Sequence, residues 1–132
     1  MQRYTFSRSE RLRKSSDFDR VYSSGKRCAS STLTVIFDVS PAGATRVGLS
    51  VGRRIGKAVV RNRVKRLLRE AFRLNKHRVK KGYDIILVAR KGVEELNFRQ
   101  VEALVMDLFG RGGLVVPETE ESKGPGPAPN AG

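Results

Sequence analysis

The chain has 132 residues, 27 of them Lys or Arg against 13 Asp or Glu, for a formal net charge of +14, and 39% are hydrophobic. That length and apolar content suit one domain with a small core, and the charge calls for a polyanionic partner. No apolar run reaches the roughly 20 residues that span a membrane, and the lone Cys28 and lone His77 supply neither an intramolecular disulfide nor a four-ligand zinc site.

The first twenty residues are basic but lack the apolar stretch and small-residue cleavage site of a secretory signal, so a cytoplasmic location is expected. A first helix is predicted from Ser16, a capping residue followed by Asp17 and Asp19, with Gly25 at its C-terminal cap. Cys28 reads as a small packing residue. Leu33-Thr34-Val35-Ile36-Phe37 is a β-branched and aromatic run ended by Ser40-Pro41-Ala42-Gly43, after which Val47, Leu49 and Val51 alternate with Gly48, Ser50 and Gly52. These two runs predict an antiparallel pair joined by a turn. The side-chain-poor face of Gly48, Ser50 and Gly52 admits the close approach of a helix or another backbone.

Between Lys57 and Asn75 the residues Val60, Val64, Leu67, Leu68, Ala71 and Leu74 recur at spacings of three and four and predict the main helix. A buried strand follows at 83–89, where Ile85-Ile86-Leu87-Val88 is continuous. Asn97 with Gln100 forms a capping-box pattern before a helix that turns Val101, Leu104, Val105, Leu108 and Phe109 inward. From Arg111 the composition turns to Gly and Pro without an aromatic residue, which predicts a domain over 1–110 and a disordered tail over 111–132. The tail holds two basic and three acidic residues, so the positive charge belongs to the domain. The element order gives a single compact α+β domain rather than an alternating, doubly wound sheet.

Residues 53–81 contain thirteen basic residues and one acid, Glu70. Arg53 and Arg54 lead into the helix, and Lys57, Arg61, Lys65 and Arg69 follow at i, i+4 spacing, close to one line down its exposed face. Such a row repels itself, by a few tenths of a kcal/mol per like-charged pair, and a row of phosphates completes it. A solvated surface face would mix signs, and a helix lying on an anionic membrane would need its apolar face free and an aromatic anchor, whereas here the sheet claims that face and the chain has no Trp. Asn62, between Arg61 and Arg63, both donates and accepts, so it can bond a phosphate, a 2′-hydroxyl or a neighbouring arginine.

The glycines before the helix do not make a phosphate-binding P-loop, because Val51 and Ala58 stand where its pattern needs Gly and Ser or Thr. No HExxH, nucleophile elbow or Ser/His/acid set appears. A nuclease built from Asp17, Asp19 or Glu102 with metal is not expected, since Asp17 and Asp19, at i, i+2 on a helix, diverge. Phe18 and Tyr22 share one helix face at i, i+4, where they can stack unpaired bases or pack on the sheet.

The stretch Arg46-Val47-Gly48-Leu49-Ser50-Val51, followed by Gly56-Lys57-Ala58-Val59-Val60-Arg61-Asn62-Arg63-Val64-Lys65-Arg66-Leu67-Leu68-Arg69-Glu70, resembles the signature of the bacterial ribonuclease P protein subunit, with its Arg-Asn-Arg motif. The similarity runs from Arg11-Leu12-Arg13-Lys14 and Asp17-Phe18 through Gly25-Lys26-Arg27 to Asp84-Ile85-Ile86-Leu87-Val88-Ala89-Arg90. The resemblance implies a protein that binds the catalytic RNA of ribonuclease P, which removes the 5′ leader of precursor tRNA by Mg²⁺-assisted hydrolysis, with the RNA as catalyst and as the main holder of Mg²⁺. It implies an αβββαβα order, a four-stranded sheet and a left-handed crossover, against the general preference for right-handed ones. It places Arg61, Asn62, Arg63, Lys65, Arg66 and Arg69 against the catalytic RNA. It places Phe18 and Tyr22, with Ile36 and Ser50, in a cleft for the single-stranded leader, Ile36 standing where family members can carry an aromatic. No membrane is expected, and no protein partner is required. The alternative is a structural, ribosomal-type RNA-binding protein without a role in cleavage.

Overall fold

The continuous apolar run of residues 85–88 decides the architecture, because a strand apolar on both faces must lie inside its sheet. The computed structural model describes residues 8–116. Helices α1 (Ser15–Ser24), α2 (Ala58–Asn75) and α3 (Phe98–Arg111) and strands β1 (Lys26–Ala29), β2 (Leu33–Val39), β3 (Arg46–Ser50) and β4 (Tyr83–Ala89) follow one another in the order αβββαβα. The sheet order is β1-β2-β4-β3. β2 pairs antiparallel with β1 and β4, whereas β3 pairs with β4 in parallel, with α2 as the connection. The expected direct pairing of the 33–37 and 47–51 runs is therefore corrected. β4 inserts between them, and the glycine-bearing β3 takes the edge.

Register sorts the sheet into two faces. Leu33, Val35 and Phe37 of β2 lie opposite Ala89, Leu87 and Ile85 of β4, and this side joins Val47 in the main core under α2 and α3. Thr34, Ile36 and Asp38 lie opposite Val88, Ile86 and Asp84, which in turn pair with Ser50, Gly48 and Arg46. That second face is covered in part by α1, through a smaller cluster of Leu12, Val21, Ile36 and Ile86, with Phe18, Tyr22 and Val88 partly buried beside it.

Helix ends follow the sequence in two cases of three. Asn97 accepts from the Gln100 backbone N–H while the Gln100 side chain accepts from the Asn97 N–H, the expected capping box. Gly25 caps α1 by donating to the Val21 carbonyl, and a Cβ there would stand 2.5 Å from Val21 O and 2.9 Å from Phe37 O, both backbone atoms that cannot give way. Ser16, in contrast, is inside α1, and Lys14 occupies the N-cap with no side-chain cap bond.

On α2 the buried residues are Val64, Leu68, Ala71, Phe72 and Asn75. Phe72, absent from the expected apolar stripe, replaces Leu74, which is only half-buried, as the large core residue of the last turns. Cys28 packs half-buried against the main core.

The tail boundary is also corrected. α3 runs through Arg111, and the chain then turns at Gly113 (φ 78°, a left-handed conformation suited to glycine). Leu114 is 1% exposed, its carbonyl accepts from Lys80 N–H at 2.7 Å, and Val116 N–H donates to Arg78 O at 2.8 Å. The fold thus includes residues 111–116, and the remainder of the expected tail lies outside the described residues.

Candidate nucleic-acid interface

The basic residues before and on α2 divide by exposure. Arg53, Arg54, Lys57, Asn62, Arg63 and Arg66 are exposed, and Arg61, Lys65 and Arg69 are half-buried. At about 100° per residue, a step of four overshoots a full turn by about 40°. The row from Lys57 to Arg69 therefore drifts onto the flank of α2 that faces β3, where Lys65 and Arg69 line a cavity with Arg11 and Arg13. The single expected line on the exposed face becomes a flank row plus a separate outward group, Asn62 and Arg66.

Both arginines around Asn62 are held by their own chain. Arg61 Nε donates to Gly56 O at 3.0 Å, and Arg63 Nη1 and Nη2 donate to the carbonyls of Glu94 and Leu96 at 3.1 and 3.2 Å. A guanidinium has five N–H donors, so these bonds leave further donors free while fixing the plane of the group. Further along, Arg73 forms a two-pronged pair with Glu70 at 2.8 Å, which pulls the Glu70 carboxyl below its ordinary 4.5 and raises Arg73.

The second surface lies on the α1 side of the sheet. The Phe18 and Tyr22 rings are 6.4 Å apart between centroids and tilted by 41°, both half-buried on the small cluster. Phe18 comes this close to β3 because Gly48 has no side chain: a Cβ there would stand 2.5 Å from Phe18 Cζ. The expected close approach over the glycine face is thus made by an aromatic ring.

Ile36 is corrected as a contact residue, since it is 0% exposed beneath α1 and presents nothing to a ligand. Half-buried Val88, paired with Ser50 on β3, is the accessible apolar position instead. Thr34, beside Ile36 on this face, keeps its hydroxyl oxygen buried with no hydrogen-bond partner among the described residues. Ser50 and Val88 also line a cavity of about 280 Å³ with Arg53, Arg54, Arg90 and Lys91, which links the cleft to the basic set. The sequence reading did not name Arg90 or Lys91 as contact residues, although a basic pair directly after a buried strand is the signal that marks them.

A charge cluster fastens α1 over this face. Asp84 of β4, fully buried, receives Arg46 Nε and Nη2 of β3 at 2.8 and 2.7 Å, and also the Arg20 guanidinium of α1. Arg20 further meets Asp38 at 3.6 Å and Arg46 meets Asp17 at 3.5 Å. The hydrogen bonds to Asp84 raise the Arg46 guanidinium above its ordinary value. Asp17 is therefore engaged with arginines, and Glu102 accepts from Asn75 on another face of the protein. Among the described residues no group of three or more His, Cys, Asp or Glu side chains is placed to hold a metal ion, and no helix is long and apolar enough to cross a membrane.

A mixed sheet with a basic helix on one face and a half-covered aromatic cleft on the other defines the class: a small α+β domain whose exposed cations and rings suit a nucleic acid. Comparison with known proteins narrows it. The family model described as Ribonuclease P matches residues 6–112. The ribonuclease P protein component of Alkaliphilus oremlandii is 40% identical over 105 residues, covering 80% of this chain and 92% of that protein, and that of Clostridioides difficile is 39% identical over 107 residues, covering 80% and 94%. Among solved structures, the Thermotoga maritima ribonuclease P protein superposes with a TM-score of 0.71 at 36% identity over 77% of this chain and 96% of its own. The Staphylococcus aureus protein does so with a TM-score of 0.74 at 28% identity, over 80% and 96%. The chain belongs to the ribonuclease P protein family, the protein component of the tRNA-processing endonuclease.

Proposed function

We propose that this protein component acts in tRNA 5′-end processing by holding two RNA elements at once: the ribonuclease P RNA against α2, and the single-stranded 5′ leader of precursor tRNA in the cleft beside α1. At the start of α2 and along it the contact residues are Lys57, Arg61, Asn62, Arg63, Lys65, Arg66 and Arg69, and in the cleft they are Phe18, Tyr22, Ser50 and Val88, with Arg53 and Arg54 between the two. One observation carries the reading. α1 leaves part of the second sheet face uncovered, and on that face the half-buried rings of Phe18 and Tyr22 accompany a cavity in which Ser50 and Val88 meet four cations, with no acid in the cavity lining. Rings take the bases of an unpaired strand and cations take its phosphates.

Chemistry on the phosphodiester is assigned to the RNA, together with the Mg²⁺ that assists it. The carboxylates of Asp17, Asp38 and Asp84 are committed to Arg20 and Arg46 and do not fit a metal ion. The protein contributes by neutralising phosphates and fixing RNA geometry, working in the cytoplasm without another protein. Family membership speaks against the ribosomal-type alternative.

Cleavage of a 5′-extended precursor tRNA at low Mg²⁺ tests this with three mixtures: protein alone, ribonuclease P RNA alone, and both. Cleavage should be strong only with both. Activity of the protein alone would place an active site in this chain, and failure to stimulate the RNA would overturn the reading.

A further inference from the structure

At the outer edge of β3 a cavity of about 180 Å³ is walled by Arg11 and Arg13 on one side and by Lys65 and Arg69 of α2 on the other. The segment before α1 builds it. Leu12 N–H donates to Val47 O at 2.9 Å and Arg11 bridges Val47 in parallel, so residues 11–13 lie along the strand edge. Leu12 is 3% exposed in the α1-side cluster. Side chains of an extended segment alternate, which sets Arg11 and Arg13 apart from Leu12, and both line the cavity with Lys65 and Arg69 of α2. Lys65 and Arg69, at i, i+4, share one flank of the helix. Two pairs of cations therefore face one space, and no acidic side chain lines it. Asp17, which shares a neighbouring cavity with Arg11 and Arg13, is engaged by Arg20 and Arg46.

The strand edge adds backbone donors. Val47 turns its carbonyl outward to Leu12, and peptide groups of a strand alternate in direction, so Leu49 points its N–H and C=O the same way, into the cavity. Neither group has a partner outside the sheet ladder among the described residues. An unpaired N–H among convergent cations is the recognition chemistry of a phosphate oxygen.

We propose that this cavity takes a phosphodiester of the ribonuclease P RNA, and that Arg11 and Arg13 are RNA-binding residues beyond the Arg-Asn-Arg helix. Resting on the function proposed above, the site makes the RNA backbone run from the flank of α2 over the β3 edge. The two surfaces then form one continuous track. The catalytic RNA is the occupant rather than the leader, because Lys65 and Arg69 belong to the α2 surface while the leader cleft opens on the other face of the sheet.

Equilibrium binding of the full chain to ribonuclease P RNA over a salt series tests this, comparing wild type with Arg11→Gln/Arg13→Gln and Arg11→Lys/Arg13→Lys. The glutamine variant should bind roughly tenfold more weakly, as expected when charged hydrogen bonds are lost. Its log-log salt slope should be shallower by about 0.7 to 0.9 per contact removed. The lysine variant should keep the slope, and discrimination between precursor and mature tRNA should be unchanged in both. Wild-type affinity and slope in a folded glutamine variant would overturn the proposal, as would a loss confined to leader-bearing precursor. Should the double variant fail to fold, Arg13→Gln, an exposed side chain, applies the same criterion with one contact. A wild-type chain that does not bind the RNA at all would instead sink the function on which this site rests.

Discussion

Asp84 is the residue on which the cleft depends. It is fully buried on β4 and accepts from arginines of two other elements, Arg46 on β3 and Arg20 on α1. Removing one partner of a buried ion pair costs about 3 to 5 kcal/mol, because the remaining charge is left uncompensated. Arg20 and Arg46 retain some solvent contact and keep Asp17 and Asp38 nearby, so Asp84→Ala is expected at the lower end, about 3 kcal/mol by urea denaturation. A loss under about 1 kcal/mol would mean that the neighbouring acids replace it. Glu94 sets a second local condition. Its carboxylate accepts from Gly92 N–H at 2.8 Å and meets Lys91 at 3.1 Å, and backbone hydrogen bonds, chiefly its own N–H and that of Gly92, hold its pKa below the ordinary 4.5. A carboxyl lowered by folding stabilises the native state above its unfolded pKa and loses that contribution as pH falls through its folded one. The Gly92 amide resonance should therefore hold steady above pH 4.5 and shift only below it. Movement at neutral pH would show that the contact is absent in solution.

At the scale of the element, α2 separates two uses of arginine that its sequence presents as one. Arg63 braces the turn before α3 through two backbone carbonyls, whereas Arg66, one turn on, is exposed and makes no hydrogen bond or ion pair among the described residues. Arg66→Ala should leave thermal stability unchanged and flatten the salt dependence of RNA binding by about 0.7 to 0.9 in log-log slope. Arg63→Ala should also lower stability, by about 1 kcal/mol for its lost hydrogen bonds. Identical stability losses in the two variants would contradict this division. The periodicity of α2 and the continuous run of β4 were legible because burial on one face, or on both, leaves a period in the sequence. The pairing partner of β3 was not legible, since alternation reveals which face is buried but not which strand lies alongside. Ile36 shows the same limit at the site: its apolar character fits a cleft wall and a buried floor equally well, and only the position of α1 decides for the floor.

For the whole molecule, the sheet acts as a partition, with the main core and α2 on one side and the aromatic cleft beside α1 on the other, so the two RNA surfaces proposed above would be joined around its β3 edge. The main core on one side of that partition is closed at the C-terminal end by residues that the sequence alone leaves outside the domain. The Gly-Pro composition beyond Arg111 hides the apolar triplet Leu114-Val115-Val116, whose Val115 bridges Val79 and so ties the end of α3 to the segment leading into β4. Truncation after Gly110 should therefore remove a buried leucine, worth about 1.5 to 3 kcal/mol, together with backbone bonds that contribute about 1 kcal/mol each. Truncation after Val116 keeps all of these contacts. Thermal melts of the two truncated chains beside the full one should show a large drop in Tm for the first and none for the second. Both should retain RNA binding well below their melting points, because no residue of the α2 surface is removed. Equal Tm values for all three chains would show that α3 closes the core without the segment after it.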